Sequence, residues 1–147
     1  MSFFNMLIGI TGGMCLAAQG GVNSALSAVW TKDAILAAFV SFTIGALVLF
    51  ACVILLRIPI PSLSKGATKW WHWVAGLFGS YFVFSATYLA PIVGAGLLVA
   101  LVLIGQLGSA VILDHYGLMG FPKKKINLNR ILGIGLLGVG VVLIRFF

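Results

Sequence analysis

The stretch SFFNMLIGITGGMCLAAQGGVNSALSAVW, residues 2–30, decides the fold class. It carries no charged side chain and exceeds the roughly 20 apolar residues that a helix needs to cross a bilayer. On an α-helix, Asn5, Gly9, Gly12, Cys15, Gln19, Asn23 and Ser27 follow one another at steps of three or four and share one face. Nearly all the rest is Phe, Leu, Ile, Met, Val or Ala. A stripe of amides and small residues on such a helix is either glue between helices or the wall of a pathway.

The rest of the chain extends the membrane reading. Of 147 residues, 62% are hydrophobic and 7% charged, with a mean hydropathy of +1.21, whereas an ordinary soluble domain is about 25% charged. The apolar runs are continuous, unlike the alternating segments of about ten residues in a membrane β-barrel. The expected architecture is an all-α integral membrane protein, one domain over residues 1–147, with five transmembrane helices. They are placed at about 3–29, 34–56, 71–90, 92–114 and 130–147. Pro59 and Pro61 stop the second span, and Pro91, which has no amide hydrogen and suits the first turn of a helix, makes the turn of a tight hairpin between the third and fourth spans. Trp70, Trp71 and Trp73 mark a membrane–water interface. The last span is short, about 26 Å at 1.5 Å per residue, and Arg145 snorkels near its end.

A net charge of +7 would suggest nucleic acid in a soluble protein. Here the cations sit in short loops, as the positive-inside rule produces, so no nucleic-acid partner is expected. Arg57, Lys65, Lys69, Lys123, Lys124, Lys125 and Arg130 fall on the side of the N-terminus, against Lys32 and Arg145 on the other. That bias puts the N-terminus in the cytoplasm and the C-terminus outside. Cys15 and Cys52 lie in apolar runs and read as small hydrophobes. No Cys/His cluster has metal-ligand spacing. No Lys or Arg precedes the first run, so it reads as a span and not as a removable signal peptide.

Gln19 and Asn23, one turn apart and flanked by Gly12, Gly20 and Gly21, can hydrogen-bond a solute or a neighbouring helix. Gln106 and Ser109 share a face of the fourth span, where Gly105 and Gly108 permit close approach. Tyr81 and Tyr88, with Phe84, Ser80 and Thr87 nearby, either line a cavity or pack. No Asp or Glu lies within a span, so the usual mark of a proton relay is absent. Asp114 and His115, at the end of the fourth span, read as a structural anchor. The Lys123–Lys125 run sets topology and can also contact anionic lipid. Gly133, Gly135, Gly138 and Gly140 leave gaps along the last span that suit an oligomer interface or packing within the chain. Metal-protease, nucleophile-elbow and phosphate-loop motifs are missing. No catalytic residue and no cofactor is therefore assigned.

The segments AAQGGVNSALS (17–27) and APIVGAGLLVALVLIGQLGSAVILDHYGLMG (90–120) resemble the YdcZ-type half-size transporters of the drug/metabolite transporter superfamily. The resemblance covers essentially the whole chain in length and five-span layout. It implies a bacterial inner-membrane protein acting as half of a ten-helix, two-fold assembly. Members of that family occur as single chains, as adjacent pairs of opposite orientation and as fusions. The Gly133–Gly140 spacing is also similar to the dimer-forming glycine heptad of small multidrug resistance proteins. Those proteins couple to protons through a glutamate in their first helix. This chain has none there, and the amides of Gln19 and Asn23 cannot carry a proton.

The resulting expectation is a small-molecule transporter, an exporter, working as a dimer around a midplane site. Its lining residues are Gln19, Asn23, Gln106, Ser109, Tyr81 and Tyr88, and its dimer interface includes Gly133, Gly138 and Gly140. An odd number of spans cannot supply an inverted repeat alone. The second half is expected from another five-helix chain, an oppositely oriented paralogue in preference to a homodimer, because the cation bias fixes one orientation. The competing readings are a passive channel for a small ion or neutral solute and a non-transporting membrane partner subunit.

Overall fold

The second helix shows how the chain forms its elements. Asp33, in extended conformation, accepts a hydrogen bond on Oδ1 from the Leu36 N–H at 2.8 Å, which caps a free donor of the first turn. From there twenty-two residues without a charge continue as one helix. The computed structural model describes residues 3–59 and 69–146. It contains five long helices: α1 (Phe3–Leu26), α2 (Ala34–Leu55), α3 (Ala75–Val93), α4 (Ala95–Tyr116) and α5 (Leu128–Phe146). All five are long and apolar enough to cross a membrane, α1 together with a π-helical turn over Ser27–Thr31 and α3 together with residues from Trp71 onward. No strand occurs among the described residues. Large apolar side chains turn outward, as Leu49 (69% exposed), Leu77 (69%) and Leu136 (72%) illustrate. Such a surface requires hydrocarbon as its solvent.

Contacts divide the chain into two compact units, residues 1–92 and 93–147. In the first, α1 packs on α2. Gly20 of α1 and Ala37 and Ala38 of α2 are buried, and small residues of this kind let membrane helices approach closely. The α1–α2 connection is made by the π-turn, whose Ser27 carbonyl accepts from the Lys32 N–H at 2.8 Å, and by Lys32 itself at φ 55°. The ring of Phe42 on α2 sits against Gly79 of α3, where an added Cβ would stand 3.3 Å from the ring. A 3₁₀ turn, Trp70–Trp73, precedes α3. In that segment the Lys69 ammonium lies 4.7 Å from the Trp71 ring centroid.

In the second unit α4 packs on α5. The connecting loop folds back on the end of α4. Gly117 closes the helix in the left-handed region, and the Lys124 N–H donates to the Asp114 carbonyl at 2.7 Å. The Ile126 N–H donates to His115 Nδ1 at 3.3 Å, and Arg130 Nη1 meets Asp114 Oδ2 at 3.0 Å. Asn127 Oδ1 accepts from the Arg130 N–H at 3.0 Å and caps the start of α5. Asp114 and His115 are thus structural anchors, as their position at a helix end suggests.

One expectation is corrected. Pro91 does not open the fourth span but lies inside the last turn of α3. The break falls at Gly94, whose φ of 79° and ψ of 162° belong to a region that is essentially restricted to glycine. Pro91 gives up its own bond to the Thr87 carbonyl, and only Ile92 and Val93 follow it before the helix ends. α2 ends at Leu55, ahead of Pro59; Pro61 and Lys65 lie outside the described residues.

Candidate functional site

The amide stripe of α1 is covered unevenly. Asn5, Gly9, Gly12 and Cys15 are exposed, Gln19 is half-buried, Asn23 is buried and Ser27 is half-buried. The cover therefore thickens toward the end joined to α2. Thr11, on the exposed half, donates its hydroxyl back to the Leu7 and Ile8 carbonyls, so it satisfies itself within the helix.

Gln19 and α2 enclose an open groove of about 250 Å³, lined by Gln19, Ser41, Phe42, Gly45, Ala46 and Leu49. Positions 41, 45 and 49 recur at the i, i+4 spacing that puts them on one face, and Gly45 keeps the floor open because a Cβ there would meet no atom within 4 Å. Counting back from the turn at Lys32, Gln19 stands about 20 Å along the helix axis. The groove is an apolar slot with an amide and a hydroxyl at its wall.

Asn23, one turn beyond Gln19, is 3% exposed, and its Nδ2 finds no hydrogen-bond partner among the described residues. A buried amide donor without an acceptor costs about 1–3 kcal/mol, and most buried polar atoms in folded proteins are paired.

The other expected positions are distributed as follows. Gln106 and Ser109 are both exposed on α4. Tyr81 is 72% exposed; Tyr88, 55% exposed, stacks on Phe84 with ring centroids 6.1 Å apart. Thr87 is buried and its hydroxyl donates to the Val83 carbonyl at 2.7 Å, which removes it from any binding role. On α5, a Cβ added at Gly133, Gly135, Gly138 or Gly140 would meet nothing within 4 Å. These glycines do not serve packing within their own unit. Ser41 is the groove residue that sequence reasoning missed. Its signal was available, since Ser41 and Gly45 stand four apart in an otherwise apolar helix.

The family model described as "Putative inner membrane exporter, YdcZ" matches residues 4–143. The chain is 28% identical over 116 residues to the inner membrane protein YdcZ of Escherichia coli (strain K12), an alignment spanning 78% of this chain and 77% of that protein. No solved structure matches the chain significantly. The family is one of membrane exporters and not of enzymes, and its setting is the inner membrane, which the five apolar helices cross repeatedly. This chain belongs to the YdcZ inner-membrane exporter family.

Proposed function

We propose that this chain is half of a small-molecule exporter and that the amide stripe of α1 forms part of its pathway. The observation that carries the reading is Asn23, a buried amide donor with no acceptor among the described residues, one turn from Gln19 in the groove wall. In this reading the acceptor is the transported solute. The groove, at about 250 Å³, falls below the roughly 300–1,000 Å³ of most small-molecule pockets, which suits a site shared with a second chain. The exposed first half of the stripe and the open glycines of α5, Gly133, Gly138 and Gly140, offer faces for that chain. Gln106 and Ser109 of α4, and Tyr81 and Tyr88 of α3, contribute further polar contacts along the pathway. The assembly is a ten-helix pair of one transmembrane domain from each chain.

In this reading the N-terminus is cytoplasmic and the C-terminus outside, from the seven-to-two cation bias. An antiparallel pair then requires an oppositely biased paralogue. Because the chain's two carboxylates, Asp33 and Asp114, lie at helix ends and outside the groove, the site holds its solute by hydrogen bonding and not by proton exchange.

The test is efflux from proteoliposomes loaded with a panel of labelled sugars, amino acids and quaternary ammonium dyes. Transport of at least one solute is expected from the reconstituted pair. Gln19→Leu and Asn23→Leu together should reduce its rate tenfold or more while the protein stays folded. Unchanged flux in the folded double variant would remove these residues from the pathway. Unitary currents in planar bilayers would replace the carrier with a channel.

A further inference from the structure

The loop between α4 and α5 has a combination of features that transport does not use. Gly117, Met119 and Gly120 take φ of 65°, 55° and 84° and turn the chain back on itself. The bonds from the Lys124 N–H to the Asp114 carbonyl and from the Ile126 N–H to His115 Nδ1 then fix it against the end of α4. A loop so held could tuck its apolar side chains away, yet Leu118, Met119 and Phe121 remain 47%, 67% and 51% exposed. Beside them Lys123, Lys124 and Lys125 are exposed as well. No carboxylate answers these three charges among the described residues, because Asp114 is taken by Arg130 at 3.0 Å.

We propose that this loop is a docking site for the headgroup of an anionic phospholipid. It starts directly after Tyr116, the last residue of a membrane-length helix, and so lies at headgroup depth. There the phosphate layer meets the three ammonium groups, and the acyl boundary below it receives Met119 and Phe121, which water would leave uncovered. The lipid is also the partner already present at that depth, so binding needs no recruitment from solution. The site depends neither on the solute transported nor on the orientation of the chain, since its partner is the surrounding bilayer.

The experiment is native mass spectrometry of the purified full chain, released from detergent with phosphatidylglycerol or with phosphatidylcholine of equal chain length. The wild type should retain phosphatidylglycerol preferentially. Each lysine at such a surface is worth about a fivefold factor, so Lys123→Gln, Lys124→Gln and Lys125→Gln combined should lower the preference at least tenfold. The triple Lys→Arg variant should keep it. The single glutamine variants provide the same test in smaller steps if the triple variant folds poorly; only the backbone of Lys124 joins the loop's pinning. Met119→Ser with Phe121→Ser should weaken retention of both lipids. Inorganic phosphate should not displace the lipid. The proposal fails if the wild type shows no preference, if the glutamine variants keep it, if the serine variants bind both lipids as well as the wild type, or if free phosphate competes fully.

Discussion

At the end of α4 the Asp114 carboxylate is met by Arg130 at 3.0 Å, whereas in α1 the amide nitrogen of Asn23 is buried and unmet among the described residues. The first arrangement is what stability asks for. A carboxylate in the last turn of a helix faces the negative end of the helix dipole, and the guanidinium offsets that cost while joining the start of α5 to the end of α4. The second arrangement costs stability. Polar groups at a helix end thus hold the second unit together, and a buried polar group in the first unit is kept at the fold's expense. A residue that weakens its own fold is a better candidate for function than one that strengthens it.

Substitutions can break or sharpen this contrast. The largest effect on folding is expected at Asp114. Its pair with Arg130 is 23% and 30% exposed at the side chains, between an exposed pair worth at most about 1 kcal/mol and a buried one that costs about 3–5 kcal/mol to break. Asp114→Ala should therefore destabilise the chain by about 2 kcal/mol in denaturant titration. In that background Arg130→Gln should cost much less than it does alone. The opposite sign is expected at Asn23. Asn23→Leu removes the unpaired donor and should stabilise the fold by about 1–2 kcal/mol while it lowers flux. A clear loss of stability would make Asn23 structural glue and end the contrast.

Two glycines give smaller effects. At Gly79 an added methyl meets the Phe42 ring at 3.3 Å, so Gly79→Ala should cost about 1 kcal/mol as the ring gives way. At Gly138 the same methyl meets nothing. Gly138→Ala should leave thermal stability of the single chain unchanged within about 0.5 kcal/mol. If α5 is the dimer face, energy transfer between labelled chains should nevertheless fall. Unchanged transfer would take Gly138 out of the interface.

Much of the fold was legible because a bilayer imposes one strong rule, that long uncharged apolar runs become helices. The five runs were readable for that reason. The boundary between α3 and α4 was not, because Pro91 gave the louder local signal and Gly94 carried the actual break. The fold of the α4–α5 loop was also hidden. Its central bond joins the Lys124 N–H to the Asp114 carbonyl, and backbone groups leave no trace in side-chain pattern. Of the groove, Gln19 was legible as an amide in an apolar run. Ser41 was not singled out, because one hydroxyl in a membrane helix commonly bonds to its own backbone. Thr43 does just that, donating to the Phe39 carbonyl at 2.9 Å.

The π-turn at Ser27–Thr31 bears on how such a chain can change its length. A π-turn accommodates one residue more than an α-turn in the same rise, and each residue of an α-helix advances the face by about 100°. The extra residue is absorbed after Asn23, so the stripe keeps its angular phase and the Asp33 cap keeps its own. Deleting one residue from this turn should return it to α-helix without rotating Gln19 away from Ser41. A deletion between Asn5 and Gln19 has no such slack and would turn the first half of the stripe out of line with the second. Insertions and deletions should be tolerated at one end of α1 and rejected along its middle.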